Sequence, residues 1–256
     1  MDDEIGHNKK AQVTIFIIVG IVIVIGVLFT VYFVRGIKVD SPSELGPKVF
    51  IDKCVQDVVE ESVGKMLDNG GKIILSHAVG YHGSEYNYLC FNANYDAPCY
   101  NLYPMLKDKI EDEIYLDTKD AITKCFDSMR EDFELRGYDI NGSDTKYSVN
   151  LLPGNVRVNL EKKFNVSKDG ASQRFDNFNT RIPSSIYELV GITREVLNSE
   201  TVYCVFDAAA YMYIYSKYNI EMTSYNNDKI YSVGDRLTGE KFRFAVRGCV
   251  PDPSLA

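Results

Sequence analysis

The feature that most constrains this chain is an uninterrupted apolar run near its N-terminus, from Ala11 to Val34. The run contains no charged residue, and Lys10 and Arg35 bound it. A helix needs about 20 apolar residues to cross the hydrocarbon core of a bilayer, so this run is long enough. It is apolar on all sides, unlike a surface helix, and exceeds the roughly 7 to 15 apolar residues of a secretory signal peptide. We therefore predict a transmembrane helix over residues 11–35.

The polar domain that follows has features of an extracellular, oxidising space. It contains six cysteines and no Cys-x-x-Cys pair, a pattern that favours disulfides over zinc binding or redox chemistry. It also contains two N-glycosylation sequons, which begin at Asn141 and Asn165. Basic residues flank the apolar run almost equally, so they do not orient it by themselves. We expect a cytoplasmic N-terminal tail and an extracellular domain. The alternative is a cytosolic domain with reduced, buried cysteines.

The start of the run, Lys9 to Thr14 (KKAQVT), resembles an archaeal class III signal peptide. This is the leader type of archaeal type IV pilins and archaellins. The resemblance implies cleavage by a prepilin peptidase between Ala11 and Gln12, with the apolar helix packing in a filament core. The sequence departs from that family in its acidic residues 2–4 and in Phe16, which stands where pilins carry a glutamate. The rest of the chain resembles tyrosine-rich, membrane-anchored ectodomains of small archaea.

Composition divides the chain into successive segments. They are a cytoplasmic tail or leader (1–10), the transmembrane helix (11–35), a linker (36–48), an extracellular α+β domain with antiparallel sheet (49–250) and a C-terminal tail (251–256). The linker contains Ser41-Pro42-Ser43 and Gly46-Pro47, where proline blocks continuation of the span. The extracellular segment is long enough to bury a sizeable core, as one domain or two subdomains.

Helical periodicity dominates the first half of the extracellular segment. Val49–Leu67 is one predicted helix, and Pro104–Leu116 with Thr118–Leu135 are two successive helices or one broken helix. Lys72–Leu75 and Tyr86–Asn92 are short strand candidates between them.

The period changes to two from Lys146 onward. A hairpin is predicted from Lys146–Leu152 and Val156–Val166, with Phe175–Ile182 as a further strand. Ser185 and Glu188 have the spacing of a capping box that begins a helix. The chain then ends with a predicted helix at Tyr203–Tyr218 and with predicted strands at Ile220–Tyr225, Lys229–Val233 and Lys241–Arg247.

The cysteines suggest a disulfide map. Cys90 and Cys99 are close in sequence within an irregular stretch and would close it locally. Cys54 and Cys125 each lie on or beside an apolar helix stripe, so two helices packed through those stripes would bring their sulfurs together. Cys204 would then pair with Cys249, which would tie the tyrosine-rich helix to the C-terminus.

No stretch of the sequence indicates an enzyme. His77 and His82 are five residues apart in a glycine-containing segment and lack further ligands for a metal site. A Ser76-His77 pair has neither a nucleophile-elbow motif nor a third partner. We therefore predict no catalytic residue, metal ligand or cofactor. The net charge of −8 and the lack of a basic patch argue against nucleic acid as a partner.

Tyrosine is the most distinctive part of the composition, because the chain has 18 tyrosines and no tryptophan. Many of them cluster in residues 81–103 and 203–231. Tyrosine offers a large contact area at low entropic cost and is enriched at protein interfaces. The predicted interface residues are Tyr211, Tyr213, Tyr215, Tyr218 and Tyr225.

These observations predict a single-pass, membrane-anchored extracellular structural protein without catalysis. It would be a subunit of a self-assembling surface filament, tube or coat, with membrane lipid and its own copies as partners. The alternative is a monomeric adhesion or ligand-binding ectodomain. An anchored extracellular enzyme is the third interpretation.

The leader gives the first testable prediction. We expect residues 1–11 to be retained, because the acidic leader and Phe16 depart from the substrate pattern of a prepilin peptidase. The intact mass of the protein purified from its native membrane checks this. A mass that corresponds to a chain starting at Gln12 would show that the leader is cleaved.

Overall fold

The structure, a computed structural model, describes residues 20, 21, 23, 24, 46–94, 96–142 and 145–249. The chain separates into two compact units, Met1–Leu45 and Gly46–Ala256. Of the predicted transmembrane helix (11–35), only Gly20, Ile21, Ile23 and Val24 are described, as helical residues. Among the residues that the structure describes, no helix combines the length and the apolarity needed to cross a membrane. The tail 1–10, most of the span and the C-terminal tail 251–256 lie outside the described residues and stay predictions.

The second unit has the predicted α+β composition. Its helices are α1 (Pro47–Asp68), α2 (Leu106–Leu135), α3 (Ile186–Tyr203) and α4 (Ala208–Ile214). Its strands are β1 (Ala78–Tyr81), β2 (Ser84–Phe91), β3 (Tyr100–Asn101), β4 (Asp139–Gly142), β5 (Lys146–Leu152), β6 (Asn155–Lys168), β7 (Ala171–Pro183), β8 (Tyr218–Tyr225), β9 (Asp228–Asp235) and β10 (Lys241–Arg247).

The strands form two sheets. The first has six strands in the order β1-β2-β10-β9-β8, with β3 also paired to β2. Its pairs are antiparallel except for β2 with β10. The second has four strands, in which β7 pairs along the length of β6 while β5 and β4 pair with successive parts of it. Strand β8 therefore lies at one end of the first sheet.

One buried apolar cluster joins the helices and both sheets. Helices α1 and α2 pack on each other, α1 also contacts β7 and β10, and α2 contacts β5. Helix α3 contacts β9 and β10, so it covers the first sheet from the same core. The two sheets therefore share one core and belong to one domain.

A second, smaller apolar cluster lies on the opposite face of the first sheet. It contains Tyr88, Ile230 and Ala245, with side chains of β1 and β2 packed against them. Side chains alternate between faces along a strand, which explains why these residues are separated from the main core. The ring of Tyr81, at the end of β1, lies 5.0 Å from that of Tyr225 at the end of β8. The β1–β2 hairpin thus bends over this face of the sheet.

The three disulfides join the pairs expected from the sequence. Cys54–Cys125 ties α1 to α2, Cys90–Cys99 closes the segment after β2, and Cys204–Cys249 links the end of α3 to the segment after β10. The apolar stripes of the two helices thus predicted their contact correctly. Among the described residues, no cysteine is free.

The predicted strand at Lys72–Leu75 is wrong. This segment is irregular, because it bonds to helix α2 instead of to another strand. The Lys72 Nζ atom lies 2.6 Å from Glu113 Oε1, and the Ile73 backbone N–H donates to the other oxygen of Glu113 at 3.4 Å. The strand of this region is β1, which begins at Ala78.

Two helix predictions also need correction. Helix α2 is continuous, because no glycine or proline interrupts it and Thr118 Oγ1 donates back to the Ile114 carbonyl at 2.7 Å. The predicted helix at Tyr203–Tyr218 is short, because Cys204 adopts a left-handed backbone conformation that ends α3 before α4 begins. Helix α1 begins at Pro47, inside the predicted linker (36–48).

The disulfides give the second testable prediction, since loop-closure entropy rises with loop length. Cys54–Cys125 spans 71 residues and Cys90–Cys99 spans 9. The double variant Cys54→Ala/Cys125→Ala should lose about 4 kcal/mol of unfolding free energy, and Cys90→Ala/Cys99→Ala about 2.5 kcal/mol. Guanidinium denaturation of the two variants side by side measures the difference. An equal or inverted loss would show that packing, not chain entropy, sets the contribution of these bonds.

Candidate functional site

A buried ion pair fixes the chain at the end of helix α3. Lys229 on β9 and Glu200 on α3 are both buried, and Lys229 Nζ lies 2.6 Å from Glu200 Oε2. The same ammonium group donates to the Cys204 carbonyl at 2.6 Å, and the Tyr231 hydroxyl donates to the other Glu200 oxygen. Each charge is thus hydrogen-bonded, which a buried ion pair requires. The chain that leaves Cys204 therefore starts from a fixed point beside β9.

Helix α4 follows from this point and lies at the surface. Asp207 begins the helix, where its carboxylate accepts a hydrogen bond from the Ala210 backbone N–H at 2.9 Å. None of the α4 residues is fully buried. The side chains of Tyr213, Ile214 and Tyr215 are 90%, 69% and 51% exposed. Three consecutive large apolar side chains on one surface element mark an interaction site more strongly than isolated ones do.

The five predicted interface tyrosines fall into two groups. Tyr213, Tyr215 and Tyr225 are exposed, whereas Tyr211 and Tyr218 are half-buried against the core. The Tyr211 ring lies between Phe206 and Tyr215, with ring centroids 5.6 and 4.8 Å away. Burial, followed by the nearby charge of Glu195, raises the pKa of Tyr211 to about 12. Tyr211 and Tyr218 thus support the surface from within.

Among the described strands, β8 pairs with β9 alone. Its backbone N–H and C=O groups point alternately to β9 and to the open edge. The Arg236 backbone N–H donates to the Lys217 carbonyl at 3.0 Å. The backbone groups of the odd-numbered residues of β8 therefore face β9. The backbone groups of the even-numbered residues face outward. The α4 segment covers the first two of these, because Tyr218 N–H donates to the Tyr215 carbonyl at 3.0 Å and Ile220 N–H to Met212 Sδ at 3.2 Å.

The second half of the β8 edge is open. Every residue from Glu221 to Tyr225 is exposed. The alternation directs the backbone N–H and C=O groups of Met222 and Ser224 away from β9, and within the described residues nothing bonds to them from that side. Open backbone groups on a sheet edge are a template for another strand.

Most of the other sheet edges are short or lie against helices, although residues 171–174 of the edge strand β7 are exposed. On β5, the Leu151 N–H donates to Glu111 of α2 at 2.7 Å. Strand β7 ends at Pro183, contacts α1, and is tied to it by a 2.9 Å bond from Thr180 to Asp52. Strands β1, β3 and β4 are four residues or fewer. Short edges, prolines and helical cover are the usual protections against strand addition. We call the exposed residues of α4, with Tyr215 and the open edge Glu221–Tyr225, the α4–β8 surface.

The most polar cluster of the domain caps a helix. The Glu240 carboxylate, from the β9–β10 loop, accepts hydrogen bonds from Ser184 Oγ at 2.7 Å, Ser185 Oγ at 2.6 Å and Ser185 N–H at 2.5 Å. These bonds place a negative charge at the N-terminus of α3, where the helix dipole favours it. The predicted capping box is therefore wrong, because Glu188 instead accepts from the Gly154 N–H at 3.0 Å.

An open cleft of about 360 Å³ adjoins this cap and has Lys217 and Asp235 on its wall, with Nζ and Oδ2 3.0 Å apart. Burial alone would raise the pKa of Asp235. The Leu237 backbone N–H and the Lys217 ammonium outweigh that effect and hold the pKa below its usual value. Among the residues that line the cleft there is no histidine or cysteine. The hydroxyls of Ser184 and Ser185 on its wall donate to the Glu240 carboxylate, which caps α3.

The remaining predicted residues lie apart from this surface. His77 packs edge-on against Phe91, with ring centroids 4.5 Å apart, and His82 lies in the β1–β2 turn. Among the described residues, no three His, Cys, Asp or Glu side chains are grouped to hold a metal ion. Asn141 and Asn165 are exposed and directly opposite each other on β4 and β6, while Ser143 of the first sequon lies outside the described residues.

Comparison with protein-family models, with curated protein sequences and with solved structures found no match.

Proposed function

We propose that this protein is a membrane-anchored extracellular structural protein whose copies associate through the α4–β8 surface, as subunits of a filament, tube or coat. One observation carries the proposal. The exposed aromatic helix α4 lies directly before a sheet edge that has open backbone groups, while the other edges are short or partly covered by helices. An apolar patch and an open strand edge are the two features that most often promote association of folded domains.

The extracellular location is supported by the chemistry of the domain. Three disulfides join all six cysteines of the chain, which suits an oxidising space outside the cell. The exposed asparagines of both sequons are available on a sheet surface for modification there. The apolar run over residues 11–35 would supply the membrane anchor.

The energetics suggest how such an assembly would work. Burying one large apolar side chain contributes about 1.5–3 kcal/mol, so Tyr213, Ile214 and Tyr215 together supply only several kcal/mol. Association of two free proteins costs about 4–15 kcal/mol in lost rotational and translational freedom. The aromatic contact alone is therefore weak in dilute solution. Anchoring in one membrane raises the effective concentration of the copies and lowers this cost.

The proposal predicts that removing the aromatic contact abolishes association. In the variant Tyr213→Ser/Ile214→Ser/Tyr215→Ser, the detergent-solubilised full-length protein should sediment as a monomer, where the wild type forms larger species as its concentration rises. The side chains are exposed, so the fold should survive, and circular dichroism checks this.

A matched control replaces three comparably exposed apolar residues outside the α4–β8 surface, in Ile74→Ser/Tyr100→Ser/Leu135→Ser. This variant should associate like the wild type. A wild type that stays monomeric at all concentrations in detergent, and that gives no cross-linked species in its membrane, would refute the proposed function and favour the monomeric adhesion or ligand-binding ectodomain. Equal loss of association in both variants would mean that the α4–β8 surface has no special role.

A further inference from the structure

We propose that β8 of one copy pairs antiparallel with β8 of a second copy, about a two-fold axis at Thr223, so that the six-stranded sheet continues across the contact. The inference rests on the proposed function, because it names how the copies meet. It makes the open edge Glu221–Tyr225 a self-recognition site.

The open backbone groups require a strand as the partner. Met222 and Ser224 direct their N–H and C=O groups outward, spaced two residues apart as in an antiparallel ladder. A side-chain partner or a helix would satisfy only part of this row, whereas a strand satisfies all of it. The preceding outward N–H groups, of Tyr218 and Ile220, already bond to the α4 segment, and the Tyr218 carbonyl accepts from Arg236 Nε at 3.3 Å. The site therefore accepts a short strand and excludes a long one.

The bonding pattern selects one register for self-pairing. Residues whose backbone groups face outward must lie opposite residues of the same kind in the second copy. The two-fold axis must therefore pass through a residue and not between two residues. With the axis at Thr223, Met222 lies opposite Ser224 of the second copy and Ser224 opposite Met222, so all open groups are paired. An axis at Met222 would place Ser224 opposite Ile220, whose N–H is occupied by Met212. An axis at Ser224 would place Met222 opposite Asn226, which has a positive φ in the β8–β9 turn.

The charge distribution allows a second copy as the occupant at this edge. A chain of net charge −8 repels its own copies, so they can approach closely only where few charges are opposed. Between Val202 and Asn227 only Asp207, Lys217 and Glu221 are charged. In the selected register, the one charge of β8, Glu221, lies opposite Tyr225 of the second copy. Thr223 lies opposite Thr223 of the second copy, and threonine pairs are favourable neighbours on a sheet.

A single cysteine at the proposed axis tests this inference. In the selected register, Thr223 forms a non-hydrogen-bonded pair with its mate, with Cα atoms about 4.5 Å apart. This separation allows a disulfide, whose Cα atoms usually lie about 4.4–6.8 Å apart. Full-length Thr223→Cys in its membrane should therefore form a covalent dimer on mild oxidation, at a yield about tenfold above that of Glu221→Cys alone.

The matched controls use the residues on either side. Glu221→Cys and Tyr225→Cys should each form little dimer alone, but membranes that contain both variants should form the mixed dimer. If the wild type associates and Thr223→Cys forms no more dimer than Glu221→Cys, the two-fold pairing is refuted while the proposed function stands. If the wild type does not associate, both are refuted. Non-reducing peptide mapping of each variant checks that the added cysteine has left the original disulfides in place.

Discussion

The buried contact between Lys229 and Glu200 determines where the chain goes after helix α3. Taking two charges out of water costs several kcal/mol each, and this pair is tolerated because Tyr231 and the Cys204 carbonyl complete its hydrogen bonds. The pair joins the end of α3 to β9, and the Cys204–Cys249 disulfide joins the same point to the segment after β10. Helix α4 and strand β8 thus leave from a rigid corner. Their exposed side chains are presented by a fixed scaffold, not by a free loop.

The same arrangement explains why only part of the β8 edge is open. Helix α4 buries its apolar face only in part, and Met212 and Tyr215 accept hydrogen bonds from the outward N–H groups of Ile220 and Tyr218. A longer α4 segment would cover the outward backbone groups of the whole strand. Without this segment, the strand would be a long, aggregation-prone edge. Partial cover by α4 leaves a short row of open backbone groups, and this row favours specific pairing. Under the proposed function, weak contacts of this size suit subunits that a membrane anchor would hold together.

Local patterns predicted much of this fold because their causes are local. Alternation and the Pro153-Gly154 turn fixed the β5–β6 hairpin, and the apolar stripes of α1 and α2 identified Cys54–Cys125 as a pair. The features that failed have distant causes. Glu240 caps α3 from 55 residues away, and Glu113, 41 residues from Lys72, binds Lys72 in place of a strand partner. Likewise, tyrosine composition pointed to the α4–β8 surface, but it could not distinguish Tyr211, which supports that surface, from Tyr213, which forms it. The burial of a side chain depends on how the helices and strands pack. The spacing of residues along the sequence does not specify this packing.

If copies of this protein meet at the α4–β8 surface, hydrogen–deuterium exchange of the wild-type protein at increasing concentration should reveal it. The amides of Met222 and Ser224 have no partner within the described domain and should exchange fast in the monomer. A peptide covering β8 should become protected as sedimentation shows larger species, while peptides of the protected core strand β9 should not change. Association without any slowing of exchange in β8 would contradict the proposed contact.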